Sequence, residues 1–303
     1  MAGVFNFATD QNYDVLAAGR DTLSYGKRLT DPKNNFQNNS IQTDWKKTYA
    51  RKGESLTVSG VFGWGTVSNV ADWTTTGYDK LGQSLPDYPE LVNISGANAS
   101  RQTTFQADYV RPINDSTKLE TGLRSFWSGK DQEYFYHPFN RETSAYELDP
   151  TFSQDSRINE TVNAAYLSVS SRWKYGISYQ AGLRFEQSSL NGDSKLDSVP
   201  SFGYHYPTGS SLDWWRSFFP SVYVSKKLDA SSELGLNFSR KIGRPNYRQL
   251  MPGIQANDKQ NVQYGNPDLQ PEFVDLTELN YNQVFGESNW LSSLYFSNET
   301  NTL

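Results

Sequence analysis

Ile177-Ser178-Tyr179-Gln180-Ala181-Gly182-Leu183-Arg184-Phe185-Glu186 is the stretch that decides the fold. Every odd position is apolar or aromatic and every even one is polar or Gly. A period of two puts alternate side chains on opposite faces of an extended strand, so this strand has one greasy and one wet face. The same split separates Leu56, Val58, Gly60, Phe62 and Trp64 from Ser55, Thr57 and Ser59. It separates Phe105, Ala107 and Tyr109 from Thr104, Gln106 and Asp108, and Leu234, Leu236 and Phe238 from Glu233, Gly235 and Asn237.

These segments come in pairs joined by tight polar turns at 51–54, 114–117, 174–176, 229–231 and 286–289, each rich in the Gly, Asn, Asp or Ser that hairpins use. Between the pairs run long polar connections near 68–100, 131–157, 190–215 and 243–273. Short turns at one end and long loops at the other distinguish outer-membrane barrels. The spacing predicts about eleven strands, at 2–10, 39–50, 54–67, 101–112, 117–130, 159–173, 176–190, 217–228, 231–243, 274–285 and 289–301. An odd count does not close an ordinary bacterial barrel. The expected fold is therefore all-β: an antiparallel transmembrane β-barrel, incomplete, with residues 1–303 forming one part of a larger barrel domain.

Composition agrees. The hydrophobic share of the 303 residues is 36%. With Gly counted in place of Tyr it is about 37%, against roughly 45–50% in soluble domains, too lean for a thick two-sided core. Aromatics make up 15% of the chain, with 8 Trp, 19 Tyr and 17 Phe, which a solvated disordered chain would not carry. The mean hydropathy of −0.70 and the lack of any run of about 18 apolar residues argue against membrane-spanning helices. They leave a barrel open, because barrel strands alternate. With 28 basic against 33 acidic residues the chain has no surplus to neutralise phosphates, and no nucleic-acid partner is expected. Zero Cys removes disulfides, thiolate metal sites and cysteine nucleophiles from consideration. Met1 to Asp10 lacks the basic and apolar regions of a secretory signal, so the beginning of the chain is expected to be missing.

Three further motifs follow one another at long spacing: Phe219-Pro220-Ser221; Ser239-Arg240-Lys241-Ile242-Gly243-Arg244-Pro245-Asn246-Tyr247; and Gly265-Asn266-Pro267-Asp268-Leu269-Gln270-Pro271-Glu272. Together with the paired strands Asn159–Leu167 and Ala181–Glu186, their order resembles the Bacteroidetes-type β-barrel branch of TonB-dependent outer-membrane receptors over about 159–296. That resemblance implies a complete receptor of about 22 strands with a plug domain in the lumen. It also implies an outer-membrane location, a nutrient ligand and coupling to the TonB complex through the plug. No plug is discernible in residues 1–303, which read as the middle of a barrel, cut at both ends. Read without the family, Arg244-Pro245 ends a strand by removing a ladder donor. Gly265-Asn266-Pro267 and Gln270-Pro271-Glu272 form a rigid turn before the next strand.

Signals for catalysis are weak. His137 and His205, the two histidines, fall in separate expected loops, so neither a His-centred triad nor a metal site is expected. Asn191 to Asp197 is oxygen-rich but lacks the ligand order of a calcium loop. Asp108, Glu120, Glu186, Glu233 and Glu278 fall on the wet face, where pairing with Arg124 or Arg184 is their expected task. No cofactor and no enzymatic activity are expected. Loop aromatics are the candidate ligand contacts: Tyr134 and Tyr136, then Tyr204, His205 and Tyr206, then Trp214 and Trp215. Such rings stack on sugars or aromatic ligands. They equally form the belt at a membrane interface, above all Trp214 and Trp215 just before a strand. Three functions remain open: a TonB-dependent nutrient transporter seated in outer-membrane lipid, a plugless porin-like channel, and a soluble secreted carbohydrate-binding β-sandwich.

Overall fold

The structure, a computed structural model, describes residues 2–5, 8–16, 22–196, 199–208, 211–258 and 261–300. Its strands are β1 (Ala2–Phe5), β2 (Thr9–Leu16), β3 (Thr22–Thr48), β4 (Ser55–Asp79), β5 (Glu90–Pro112), β6 (Thr117–Asn140), β7 (Ala145–Tyr146) and β8 (Gln154–Arg172). They continue with β9 (Ile177–Ser194), β10 (Phe202–Tyr206), β11 (Phe218–Lys227), β12 (Ser232–Gly243), β13 (Ile254–Asp258), β14 (Asn261–Tyr264), β15 (Glu272–Phe285) and β16 (Ser288–Thr300). Two short helices, α1 (Ser211–Arg216) and α2 (Tyr247–Leu250), lie in the connections. Among the described residues no helix is long and apolar enough to cross a membrane.

One 14-stranded antiparallel sheet carries the chain in the order β1-β3-β4-β5-β6-β8-β9-β11-β12-β15-β16, and the short strands pair off this path. Ten of the eleven expected strands each overlap one strand of that meander; the eleventh, 2–10, falls on β1 and the start of β2, with residues 6–7 outside those described. Every tight turn foreseen joins neighbours: β3 to β4, β5 to β6, β8 to β9, β11 to β12 and β15 to β16. Polar side chains close them. Asn114 Oδ1 accepts from the N–H groups of Ser116 and Thr117, both at 2.9 Å. The Asp229 carboxylate accepts from the N–H and hydroxyl of both Ser231 and Ser232 at 2.7–2.9 Å. Those four bonds hold its carboxyl down at about 2, below its usual 3.8.

The strands are longer than the alternation foretells. β3 begins at Thr22, β4 runs to Asp79, β5 starts at Glu90 and β6 continues to Asn140, so much of the expected loops 68–100 and 131–157 is strand. The reason is that the period-two signal reports lipid rather than hydrogen bonding. Once a strand leaves the bilayer both faces are wet, and the backbone ladder continues without apolar alternation. β4, at 25 residues, is about 80 Å long by strand rise and about 60 Å high when tilted as barrel strands are, against an apolar band about 25 Å tall.

Among the described residues no second layer covers the face carrying Ile177, Tyr179, Ala181, Leu183 and Phe185: none of the five is buried, and Leu183 is 46% exposed. The same face continues through Ile41, Phe62, Phe105, Leu123, Leu167, Val222, Leu236, Leu279 and Leu294, all large and exposed. A sandwich would bury this surface, so the soluble β-sandwich alternative is set aside. Aromatic pairs border it on the turn side: Tyr49 with Tyr109, Trp173 with Tyr179, and Tyr281 with Trp290. On the loop side stand Phe62 with Trp64 and Phe185 with Phe218.

Among the described residues the buried large apolar side chains gather on the opposite, inner face near the loop ends. Ile158, Leu190, Phe202, Tyr204, Tyr206, Phe219, Leu250, Met251 and Phe273 form one cluster there. Val92, Ile94 and Tyr136 form a second, with Trp73, Tyr134 and Phe152 against it. Connections folded back onto the wall make both clusters.

Candidate functional site

The longest of these connections runs from Arg244 to Pro271. Pro245 is fully buried where β12 ends, and Asn246 caps α2, accepting from the N–H groups of Arg248 and Gln249 while the Gln249 side chain accepts from the Asn246 N–H. That reciprocal box satisfies the first-turn donors of a helix too short to persist alone. Leu250 and Met251 follow, both with no exposure, set into the inner-face cluster. The Gly265-Asn266-Pro267 turn then docks on the back of α2: Gly265 N–H donates to Met251 O at 2.9 Å and Asn266 N–H to Gln249 O at 2.6 Å. A Cβ on Gly265 would lie 2.4 Å from Met251 O and 2.5 Å from Met251 N. Only Gly allows the two backbones to meet. Asn266 Oδ1 accepts from Asp268 N–H at 3.0 Å, Pro271 is buried, and Glu272 opens β15 opposite Gly243. Two motifs read from the sequence as separate turns are thus one folded unit.

Arg244 fastens this unit to the wall. Its Nη2 donates to Glu186 Oε2, while Arg184 Nε donates to Glu186 Oε1 at 2.9 Å. Glu186 is 8% exposed, and two guanidiniums share the cost of desolvating its charge. Arg184 was expected as its partner. Arg244, 58 positions away in sequence, carried no local sign of this contact. Among the described residues Arg124 forms no ion pair, whereas Asp108 accepts from Tyr166 Oη at 2.6 Å and Glu120 pairs with Lys118 at 3.0 Å. Lys130 Nζ stands 4.7 Å from the Tyr247 ring centre. A small cavity of ≈ 180 Å³ remains between wall and loop, bordered by Lys130, Glu160, Arg244 and Tyr247.

The aromatic candidates do not converge, and several are not in loops. Tyr134 and Tyr136 are strand residues of β6, and Tyr136 is 3% exposed, packed on Phe152 and Trp73 at ring distances of 5.4 and 6.3 Å. Tyr204 and Tyr206 belong to β10, which pairs with the loop end of β9 and is also inner-facing and buried; His205 between them is exposed. β10 and β11 flank β9 on the same side, interrupted by residues 207–217. That interruption carries α1, whose Trp214 and Trp215 are 47% and 68% exposed and stack edge-on with each other and around Phe218. His137 lies in β6, apart from His205, and Asn191 to Ser194 is strand rather than turn. Among the described residues no group of three His, Cys, Asp or Glu could hold a metal ion.

A larger cleft, which the sequence did not signal, lies at the outer end of the inner face. It encloses ≈ 480 Å³ between β2, β3, the 80–89 connection and the end of β6. Arg28 Nε donates to Thr75 Oγ1 at 3.1 Å and its guanidinium sits 5.0 Å from the Trp73 ring centre. Arg141 donates from Nη1 to Pro86 O and from Nη2 to Pro89 O, both at 3.0 Å, pinning the connection that forms one wall.

A single sheet with a bare apolar face bounded by aromatic girdles, short turns at one end and in-folded loops at the other, defines an outer-membrane β-barrel wall. The chain belongs to the outer membrane protein beta-barrel family, whose sequence model matches residues 47–303. The chain is also similar to solved structures. One is the ferric citrate transporter FecA in unliganded form, at 13% identity and TM-score 0.46, covering 97% of this chain and 42% of that one. The copper transporter OprC gives 12% identity and TM-score 0.48 over 97% of this chain and 49% of its own. The ferric yersiniabactin uptake receptor FyuA from Yersinia pestis gives 10% and 0.43 over 98% and 49%. The chain thus spans about half or less of the length of these structures. No curated protein gives a significant match. The protein is located in the outer membrane, its apolar face against lipid and its inner face toward the lumen.

Proposed function

We propose that the intact protein is a TonB-dependent receptor that takes up a nutrient, and that residues 1–303 supply wall and loops to its barrel. The observation that carries this reading is the loop end of the lumen face. That end has two packed clusters and a ligand-sized cleft built with connections folded onto the wall. A passive pore gains nothing from such packing, whereas a receptor needs a shaped surface where its ligand arrives. Order and spacing of the Arg244-Pro245 and Gly265-Asn266-Pro267 motifs, with their resemblance to that receptor branch, support it. The wall performs no bond chemistry in this reading. A plug moved by the TonB complex gates passage, while Arg244 and the Gly265 turn hold the 244–271 loop to the wall. Tyr136, Tyr204 and Tyr206 pack that end of the lumen, and Trp214 and Trp215 serve the interface belt. Tyr134 and His205 border the ligand's path.

Growth tests the proposal. Cells lacking the gene are compared with wild type on a panel of single iron, carbon and nitrogen sources, and the panel is repeated after disruption of TonB. The reading expects a defect on at least one source that loss of TonB reproduces. A defect indifferent to TonB, together with solute leakage through the purified intact protein in liposomes, would establish the plugless channel instead.

A further inference from the structure

Cations cluster where the lipid face meets the short turns. Lys47 on β3 and Tyr109 on β5 stand in one row with Leu56 of β4. Tyr49 and Arg111 follow two residues nearer the turns, and Arg51 and Lys52 sit in the turn between β3 and β4. All four cations are exposed, and among the described residues none of them forms an ion pair.

The corner is already ordered. Arg51 Nη1 donates to Pro112 O at 2.7 Å, Lys47 Nζ stands 5.0 Å from the Tyr49 ring centre, and Tyr49 meets Tyr109 edge-on at 6.1 Å. Glu54 beside them accepts from Tyr109 Oη, and Asp115 lies in the neighbouring turn. Four cations against these two carboxylates leave the corner positive. Height then fixes what the cations meet. From Trp64 to Leu56 the apolar face of β4 covers about 20 Å of the bilayer normal at ordinary strand rise and tilt, most of an apolar band about 25 Å tall. Tyr49 and Arg111, one row beyond, therefore lie at the headgroups of the periplasmic leaflet, which the long Lys and Arg stems also reach. The arrangement recurs in the middle of the sheet. Trp173 and Tyr179 pair at 6.5 Å near exposed Lys174 and Lys226, and Lys226 sits opposite Ile177 on the lipid face. The third turn-side pair, Tyr281 with Trp290, has Glu287 and no cation across 281–291.

We infer that the corner formed by Lys47, Arg51, Lys52 and Arg111 binds an anionic phospholipid, with the phosphodiester among the cations and the acyl chains along Leu56 and Val58. Charge complementarity selects this occupant. A zwitterionic headgroup brings a cation of its own to a corner that is already positive, whereas a headgroup of the phosphatidylglycerol kind brings only negative charge. Guanidinium groups match phosphate oxygens, and tyrosine rings suit the polar–apolar boundary where the glycerol esters lie. The site faces away from the lumen, so the inference holds whichever solute the lumen admits.

The test is native mass spectrometry of the intact protein in a neutral detergent, titrated with dioleoyl phosphatidylglycerol or dioleoyl phosphatidylcholine. The first phosphatidylglycerol should bind at least about tenfold more tightly than the first phosphatidylcholine, and inorganic phosphate at the same concentration should not displace it. Lys52→Gln combined with Arg111→Gln should weaken that binding about twentyfold, roughly fivefold per charge removed. Lys33→Gln combined with Lys80→Gln, the same charge change at the loop end, should leave it unaltered. Equal retention of the two lipids, an affinity indifferent to loss of Lys52 and Arg111, or displacement by inorganic phosphate, the mark of a simple anion site, would overturn the inference. Comparing the two lipids on the unaltered protein needs no variant to fold, and TonB takes no part in it.

Discussion

Replacing Gly265 by Ala tests how the long lumen loop is held. The new methyl would lie 2.4 and 2.5 Å from Met251 O and N and 2.8 Å from Arg248 O, all backbone atoms that cannot rotate away. To relieve the clash the turn must lift from α2, forfeiting the Gly265 N–H to Met251 O and Asn266 N–H to Gln249 O bonds. Each is worth about 0.5–1.5 kcal/mol net. Complete release would also uncover Leu250 and Met251, at about 1.5–3 kcal/mol apiece, so docking represents about 4–9 kcal/mol. Partial relief should lower the local opening free energy by at least about 2 kcal/mol, roughly thirtyfold in opening equilibrium. Hydrogen exchange on the intact protein, followed in peptides covering 247–252 and 264–267, measures this. Gly60→Ala is the control, because a Cβ there meets nothing within 4 Å. Equal protection in the two variants would refute the docking geometry.

Three other outcomes are expected. Leu183→Arg, placing charge on the bare face, should cost about 2–4 kcal/mol in urea titration of folding into vesicles, while Gln180→Arg on the lumen face of β9 should cost far less. Glu186→Gln leaves Arg184 and Arg244 without their shared carboxylate and should cost about 3–5 kcal/mol locally, seen as faster exchange across 244–251; no change would mean the ion cluster is incidental. In the β11–β12 turn, the folded state holds Asp229 at about 2, below its ordinary 3.8. A depressed carboxyl stabilises the fold above its unfolded value and loses that contribution as pH falls. Protection of the Ser231 and Ser232 amides should therefore decline between about pH 4 and pH 2, and Asp229→Asn should flatten the response.

Sequence pattern carried far where lipid imposes it. β9 is readable because Tyr179, Ala181, Leu183 and Phe185 must be apolar against hydrocarbon, and turns such as 229–231 because tight hairpins demand Asp, Ser or Gly. Beyond the bilayer that pressure disappears. Thr22 to Asn38 has Leu23, Tyr25 and Leu29 on one face but breaks off at Asp31 and Pro32 and is polar from Lys33 to Asn35, so no sustained alternation announces the outer half of β3. The candidate site was less legible. Tyr136, Tyr204 and Tyr206 were visible as aromatics in polar surroundings, but whether a ring faces solvent or a folded-back loop depends on partners such as Phe152 and Phe273, far off in sequence. The Arg244 contact with Glu186 is long-range as well, and only strand register brings the two together.

The lipid contact of one face of β9 is the claim on which everything else stands. None of the 303 residues is Cys, so single Cys substitutions from Ile177 to Gln187 in the intact protein, with any Cys outside these residues replaced by Ser, give site-specific attachment points for a fluorophore. In vesicles containing lipids with a quencher on the acyl chain, emission should fall at the odd positions and hold at the even ones. Uniform quenching, or odd positions as shielded from lipid as the even, would contradict the assignment of that face to the membrane.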